Sequence, residues 1–187
     1  MTLFVTFVSE KNVSSIFKEG FRPSQERRNN STRLEVEQKQ QEVLRQAGFD
    51  VETENGPVYG AVFNEENLHE VENLMRLHGT IGIIWSDTEK CTLTMGDSLV
   101  GENHRLAYNK PGYAENLITE MLSCKRSFST AYVEFQQHDP DLSAVRFVVA
   151  HKRSALAAEA AGTDMPKWYD ESTMPAFLSW TEVGDYV

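Results

Sequence analysis

Cysteine is scarce in this chain: of 187 residues only Cys91 and Cys124 are cysteine, and neither sits in a CxxC or CxxxH spacing. That excludes a disulfide framework and argues against a structural zinc site, and it fits a reducing compartment, the cytoplasm. Five histidines are scattered without metal-ligand spacing, so no metal is expected. Positive charge is also short. The 18 Lys and Arg stand against 28 Asp and Glu, a net charge of -10, which argues against nonspecific affinity for phosphate backbones or anionic membranes. Bulk acidity does not exclude a nucleic-acid substrate met by a local patch. No long apolar run exists: residues 1–8 are apolar but lack a basic flank and are too short to span a bilayer, so they read as a first β-strand and no membrane partner is expected.

What is there suits one domain over 1–187, 40% hydrophobic and 25% charged, with enough chain to bury a core. Ser9 is placed to cap a helix carrying Val13, Ile16 and Phe17 that stops at Gly20. Beyond a polar stretch at 22–30, Thr32-x-x-Glu35 has capping-box spacing for a long helix with Val36, Val43, Leu44 and Ala47 on one stripe. Strands are expected at 58–63, 81–85 and 92–95, the last two around an Asp87-Thr88-Glu89-Lys90 turn. Asn64 can cap a helix with Leu68, Val71, Met75 and His78 on one side. Asn109-Lys110-Pro111-Gly112 leads into a helix from Tyr113 to about Lys125, and 154–161 is an alanine-rich helix closed by Gly162. The tail holds Trp168, Tyr169, Phe177, Trp180 and Tyr186, aromatics that call for packing on the domain or on a partner. This order of elements predicts an α+β domain.

The run Tyr132-Val133-Glu134-Phe135-Gln136-Gln137-His138 is the most informative. In a strand, successive side chains alternate faces, so Tyr132, Glu134, Gln136 and His138 share one side while Val133 and Phe135 take the other. A carboxylate beside an amide and an imidazole suits a cleft, since an unpartnered buried carboxylate is strongly disfavoured; the alternative is a solvated strand face. Asp139-Pro140-Asp141 then bends the chain into a strand at 145–150, which is expected to lie near the Glu134 strand. His138 reads as a possible base or, more simply, as a solvated or capping residue.

Four pieces in order carry a resemblance: the opening Leu3-Phe4-Val5-Thr6-Phe7-Val8-Ser9 with its helix, Pro57-Val58-Tyr59-Gly60-Ala61, Thr92-Leu93-Thr94-Met95-Gly96-Asp97-Ser98, and Tyr132-Val133-Glu134-Phe135-Gln136. Together they resemble an ADP-ribosyltransferase-like domain over about residues 1–150. The opening is similar to the DarT and RNA 2'-phosphotransferase branches, and the later strings to a bacterial family of unknown function with PxYGAL, TxGDS and YxExQ motifs.

The resemblance implies two small β-sheets flanking an NAD cleft, with NAD as substrate and a late-strand glutamate, Glu134, as the catalytic carboxylate. Breaking the N-glycosidic bond builds positive charge on the ribose carbon, which a nearby carboxylate stabilises. It carries NAD contacts onto Thr6, Phe7, Tyr59, Gly60, Thr94 and Ser98, with Tyr59 stacking on nicotinamide or sitting in the core, Gly60 letting backbone approach the ligand, and Ser98 orienting Glu134 or touching the ribose. Gln136 and Arg105 are the expected acceptor-binding residues. Departures are plain: Thr6 stands where two branches have histidine, and Gly56 where an arginine is expected before ProXxxTyrGly, leaving Arg22, Arg27, Arg28 or Arg105 to meet phosphates.

The expected function is therefore mono-ADP-ribosyl transfer to a macromolecule, an unpaired base in single-stranded RNA or DNA, by an intracellular toxin or phage-conflict effector that a cognate antitoxin or inhibitor protein would restrain. The base is suggested by Gln136 and the 101–112 loop with His104, Arg105, Tyr108 and Lys110. A protein acceptor, or a degenerate member that binds without turnover, are the alternatives. Removal of an RNA 2'-phosphate is disfavoured, although Arg76-Leu77-His78-Gly79 faintly resembles that branch.

Overall fold

A computed structural model describes residues 1–22, 30–51, 56–86, 88–99, 105–124, 132–162, 166–167, 169, 176–179 and 182–183. Arg27, Arg28, His104, Trp168, Trp180 and Tyr186 lie outside these residues. Among the described residues eight strands form one sheet: β1 (Leu3–Val8), β2 (Val58–Phe63), β3 (Ile81–Trp85), β4 (Cys91–Met95), β5 (Ala107–Tyr108), β6 (Val133–Gln137), β7 (Val145–Ala150) and β8 (Ala176–Ser179), in the order β5-β4-β6-β2-β1-β3-β7-β8. Every neighbouring pair is antiparallel except β7 and β8.

The α+β class holds, but the hydrogen bonding runs unbroken across all eight strands, where two separate small sheets were expected. The reason is β1, which bonds to β2 on one side and β3 on the other and so welds the two halves. A second expectation also fails. The strands at 133–137 and 145–150 are not neighbours, because the Asp139 turn and the 3-10 turn Leu142–Ala144 carry the chain across, and β2, β1 and β3 lie between them. Likewise β3 and β4 follow one another in sequence yet do not pair; β4 lies between β5 and β6.

Among the described residues are five α-helices: α1 (Glu10–Glu19), α2 (Ser31–Gln46), α3 (Val71–His78), α4 (Tyr113–Ser123) and α5 (Ala155–Ala161). The N-cap of α2 is Asn30, whose side chain accepts from the Arg33 amide; the expected capping Thr32 lies two residues later, inside the helix. Ser154 caps α5 through its hydroxyl, which accepts from the Ala157 amide. Strand register sorts the sheet into two faces. Opposite-strand pairing puts Val5 and Phe7 with Tyr59, Ala61, Glu134, Gln136, Thr92 and Thr94 on one face, and Phe4 and Thr6 with Gly60, Phe135 and Leu93 on the other. The second face is apolar, with Phe4 and Phe135 in edge contact at 5.6 Å. Buried Leu117, Ile118 and Met121 of α4 complete its core.

Candidate active site

The first face carries an unusual load: Tyr132, Glu134, Gln136 and His138, the predicted polar stripe of β6, are all buried. The expectation that they share one side is met, and the solvated alternative is not. Glu134 is 5% exposed, so its partners decide whether it can be charged. Its Oε1 accepts from the Gln136 side-chain Nε2 at 2.7 Å and from the Ser98 backbone N–H at 3.2 Å, and its Oε2 accepts from the Tyr132 hydroxyl at 3.3 Å. Burial raises the Glu134 pKa to about 6, with hydrogen bonds from Ser98 and Gln136 resisting the rise. Near neutrality it is an ionised group held at a desolvation cost.

Glu134 lines a cavity of about 180 Å³ with Phe7, Tyr59, Gly60, Ala61, Leu74, His78 and Tyr132. Of the sequence-predicted NAD residues, Phe7, Tyr59 and Gly60 therefore stand at this cavity with Glu134. Tyr59 is fixed from behind: its hydroxyl donates to Glu37 Oε1 at 3.3 Å, and the Arg33 guanidinium lies 4.8 Å from its ring centroid. Burial, and then the Glu37 charge, push the Tyr59 phenol well above its ordinary range, so it stays protonated. Ser98 reaches Glu134 as expected, through its backbone N–H. Thr94 sits on the site face and touches the Gln136 amide, accepting from Nε2 at 3.2 Å.

Three residues stand elsewhere than expected. Thr6 is on the opposite face from Glu134, where its Oγ1 accepts from the Trp85 indole N–H at 2.9 Å; odd and even residues of β1 point apart, and Phe7 rather than Thr6 faces the cavity. Gln136 is fully buried and its amide is spent inside the protein, with Thr92 Oγ1 donating to its Oε1 at 2.8 Å, so it holds Glu134 and does not present itself to an acceptor. Arg105 is exposed, ion-paired with Glu120 of α4, and does not line the cavity. Gly60 serves a different need as well: a Cβ there would meet the Phe135 ring and the Val5 carbonyl, both at 2.3 Å, so the glycine makes room for the core while its backbone borders the cavity.

Among the other candidates, Arg22 pairs with Glu19 at the surface. Lys110 belongs to a separate cavity of about 420 Å³ with Thr88 and Asn109. His138 is 1% exposed, with burial lowering its pKa to about 4, so it is a neutral interior imidazole and not a solvated one. Among the described residues no group of three or more His, Cys, Asp or Glu is arranged to hold a metal, and no helix is long and apolar enough to cross a membrane.

Sequence reading missed Glu37 and Gln40. They belong to a stripe of α2, Glu37, Gln40, Gln41 and Leu44, that is buried while Val36 and Val43 are half-buried and Ala47 is exposed. Its i, i+3, i+4, i+7 spacing is a helical face, but a polar one, which a search for apolar periodicity passes over. No known protein family, curated protein or solved structure matches this chain.

Proposed function

We propose that this chain is an NAD-dependent mono-ADP-ribosyltransferase in which Glu134 is the charge-stabilising carboxylate. The observation that supports it is a buried, multiply hydrogen-bonded glutamate in the wall of an aromatic-lined cavity. In this reading the bond between nicotinamide nitrogen and the ribose carbon breaks, the electron pair leaves with nicotinamide, and Glu134 stabilises the cation left on the ribose. An acceptor heteroatom then bonds to that carbon and loses its proton. Tyr59 and Phe7 flank the leaving ring and limit water.

The acceptor is proposed to be an unpaired nucleic-acid base, in an intracellular conflict effector, on the strength of the similarity to the DarT branch; Gln136 and Arg105 no longer argue for it. A second reading, a binding or inhibitory protein without turnover, rests on one observation: the cavity of about 180 Å³ falls short of the roughly 300–1,000 Å³ usual for small-molecule and cofactor sites.

The deciding experiment incubates the protein and its Glu134→Gln variant with NAD labelled in the adenylate and a cell lysate, then divides the product between nuclease and protease. Label removed by nuclease, and absent with the variant, is expected. Label removed only by protease would replace the acceptor, and no label or free nicotinamide with either protein would favour binding alone.

A further inference from the structure

Resting on the reading of Glu134 as the working carboxylate, we propose that Gln40 of α2 is a positioning residue for Glu134, acting through Ser98. Gln40 is fully buried, and its Nε2 donates to Ser98 Oγ across 3.5 Å. Ser98 in turn presents its backbone N–H to Glu134 Oε1 at 3.2 Å. A donor on the Ser98 hydroxyl tethers that residue and so holds its backbone N–H against the carboxylate.

A second chain ends on the same oxygen: Thr92 donates to Gln136, and Gln136 donates to Glu134 Oε1. Two relays, one from the sheet and one from a helix, thus meet on Glu134. Packing alone does not account for Gln40. An apolar side chain of the same size would avoid burying an amide whose Oε1 has no hydrogen-bond partner, a cost that calls for a compensating role. The neighbouring turn of α2 does the equivalent for the other wall, with Glu37 holding Tyr59.

The test substitutes Gln40→Met, which keeps the volume and removes the donor, with Gln40→Ala as the second variant. Glu134 is titrated by carbon NMR of labelled glutamate, assigned by its loss in Glu134→Gln, and nicotinamide release is followed over the same pH range. The other ionisable and charged groups near the carboxylate and the Tyr59 wall, Asp97, Tyr132, Tyr59, Glu37, Arg33 and His78, are left in place. The proposal expects the Glu134 midpoint to rise by on the order of half a pH unit, kcat to fall about tenfold with KM unchanged, and Gln40→Met combined with Ser98→Ala to be no worse than Ser98→Ala alone.

An unmoved midpoint in a folded variant, or additive losses in the double variant, would overturn it. Loss of fold in both variants assigns Gln40 to core packing and overturns it equally. The titration does not need turnover: a shifted midpoint in a protein that never releases nicotinamide keeps the relay and sinks the transferase reading instead.

Discussion

Gln136 Nε2 lies 2.7 Å from Glu134 Oε1, two residues along the same strand face. The amide is oriented from its other end by Thr92, so its donor side is committed to the carboxylate. Gln136→Leu is expected to lower nicotinamide hydrolysis and transfer alike, by 10-fold or more, because it removes a charge-assisted hydrogen bond from the group on which both reactions depend. Comparing the two rates checks this; transfer falling while hydrolysis is untouched would return Gln136 to acceptor binding.

Glu134→Gln tests the electrostatic cost of the site. The folded pKa is raised from 4.5 to about 6, so between those values the native state binds more protons than the unfolded chain, and stability falls as pH rises through the window. Above it the charged form costs about 2 kcal/mol. Relative to the variant, the wild type is expected to lose that amount between pH 4 and pH 7 in denaturant titrations, while nicotinamide release rises over the same interval as the carboxylate ionises. A parallel pH dependence of stability in the two proteins would count against a desolvated Glu134.

His138 has the opposite sign. Its folded pKa is lowered from 6.5 to about 4, so the unfolded state takes up the proton first and stability drops as pH falls through that range. His138→Gln is expected to flatten this acid limb by on the order of 3 kcal/mol. Melting temperatures at pH 4.5 and 7 for the two proteins measure it.

Tyr59→Ala is expected to weaken NAD binding by about 1 kcal/mol through lost ring contact. Tyr59→Phe keeps the ring but leaves the buried Glu37 without that hydroxyl, so it should bind NAD nearly as well and melt lower. Calorimetry with NAD separates the two; equal affinity for wild type and Tyr59→Ala would confine Tyr59 to the core.

Thr6→Val leaves the Trp85 indole N–H buried without its acceptor, at a cost of about 1–3 kcal/mol, and is expected to leave nicotinamide release unchanged. A selective loss of NAD affinity would put Thr6 back at the site.

The polar stripe of β6 was legible because alternation by two is a local rule: Glu134 and Gln136 had to share a face wherever the strand lay. The same rule, applied to β1, separates Thr6 from Phe7, but which of them meets Glu134 depends on β1 pairing with β2 in the register Val5 opposite Ala61. That register is a long-range fact. So is the place of β7, which sequence proximity put beside β6 and which the sheet puts four positions away. Gln40 and Glu37 were hidden for another reason: polar residues at helical spacing look solvated until the strands they cover are known.

The strands that build the cavity wall and support its carboxylate are adjacent in the sheet yet begin at residues 58, 91 and 133. Such a wall forms only after large loops have closed, the slow part of folding a non-local sheet. A chain still emerging from the ribosome can assemble the three-stranded β2-β1-β3 unit, with Phe7 and Tyr59 in place, before Glu134 has been translated. On the transferase reading, chemistry waits on the late insertion of β6 between β2 and β4, which brings Glu134 to walls already built.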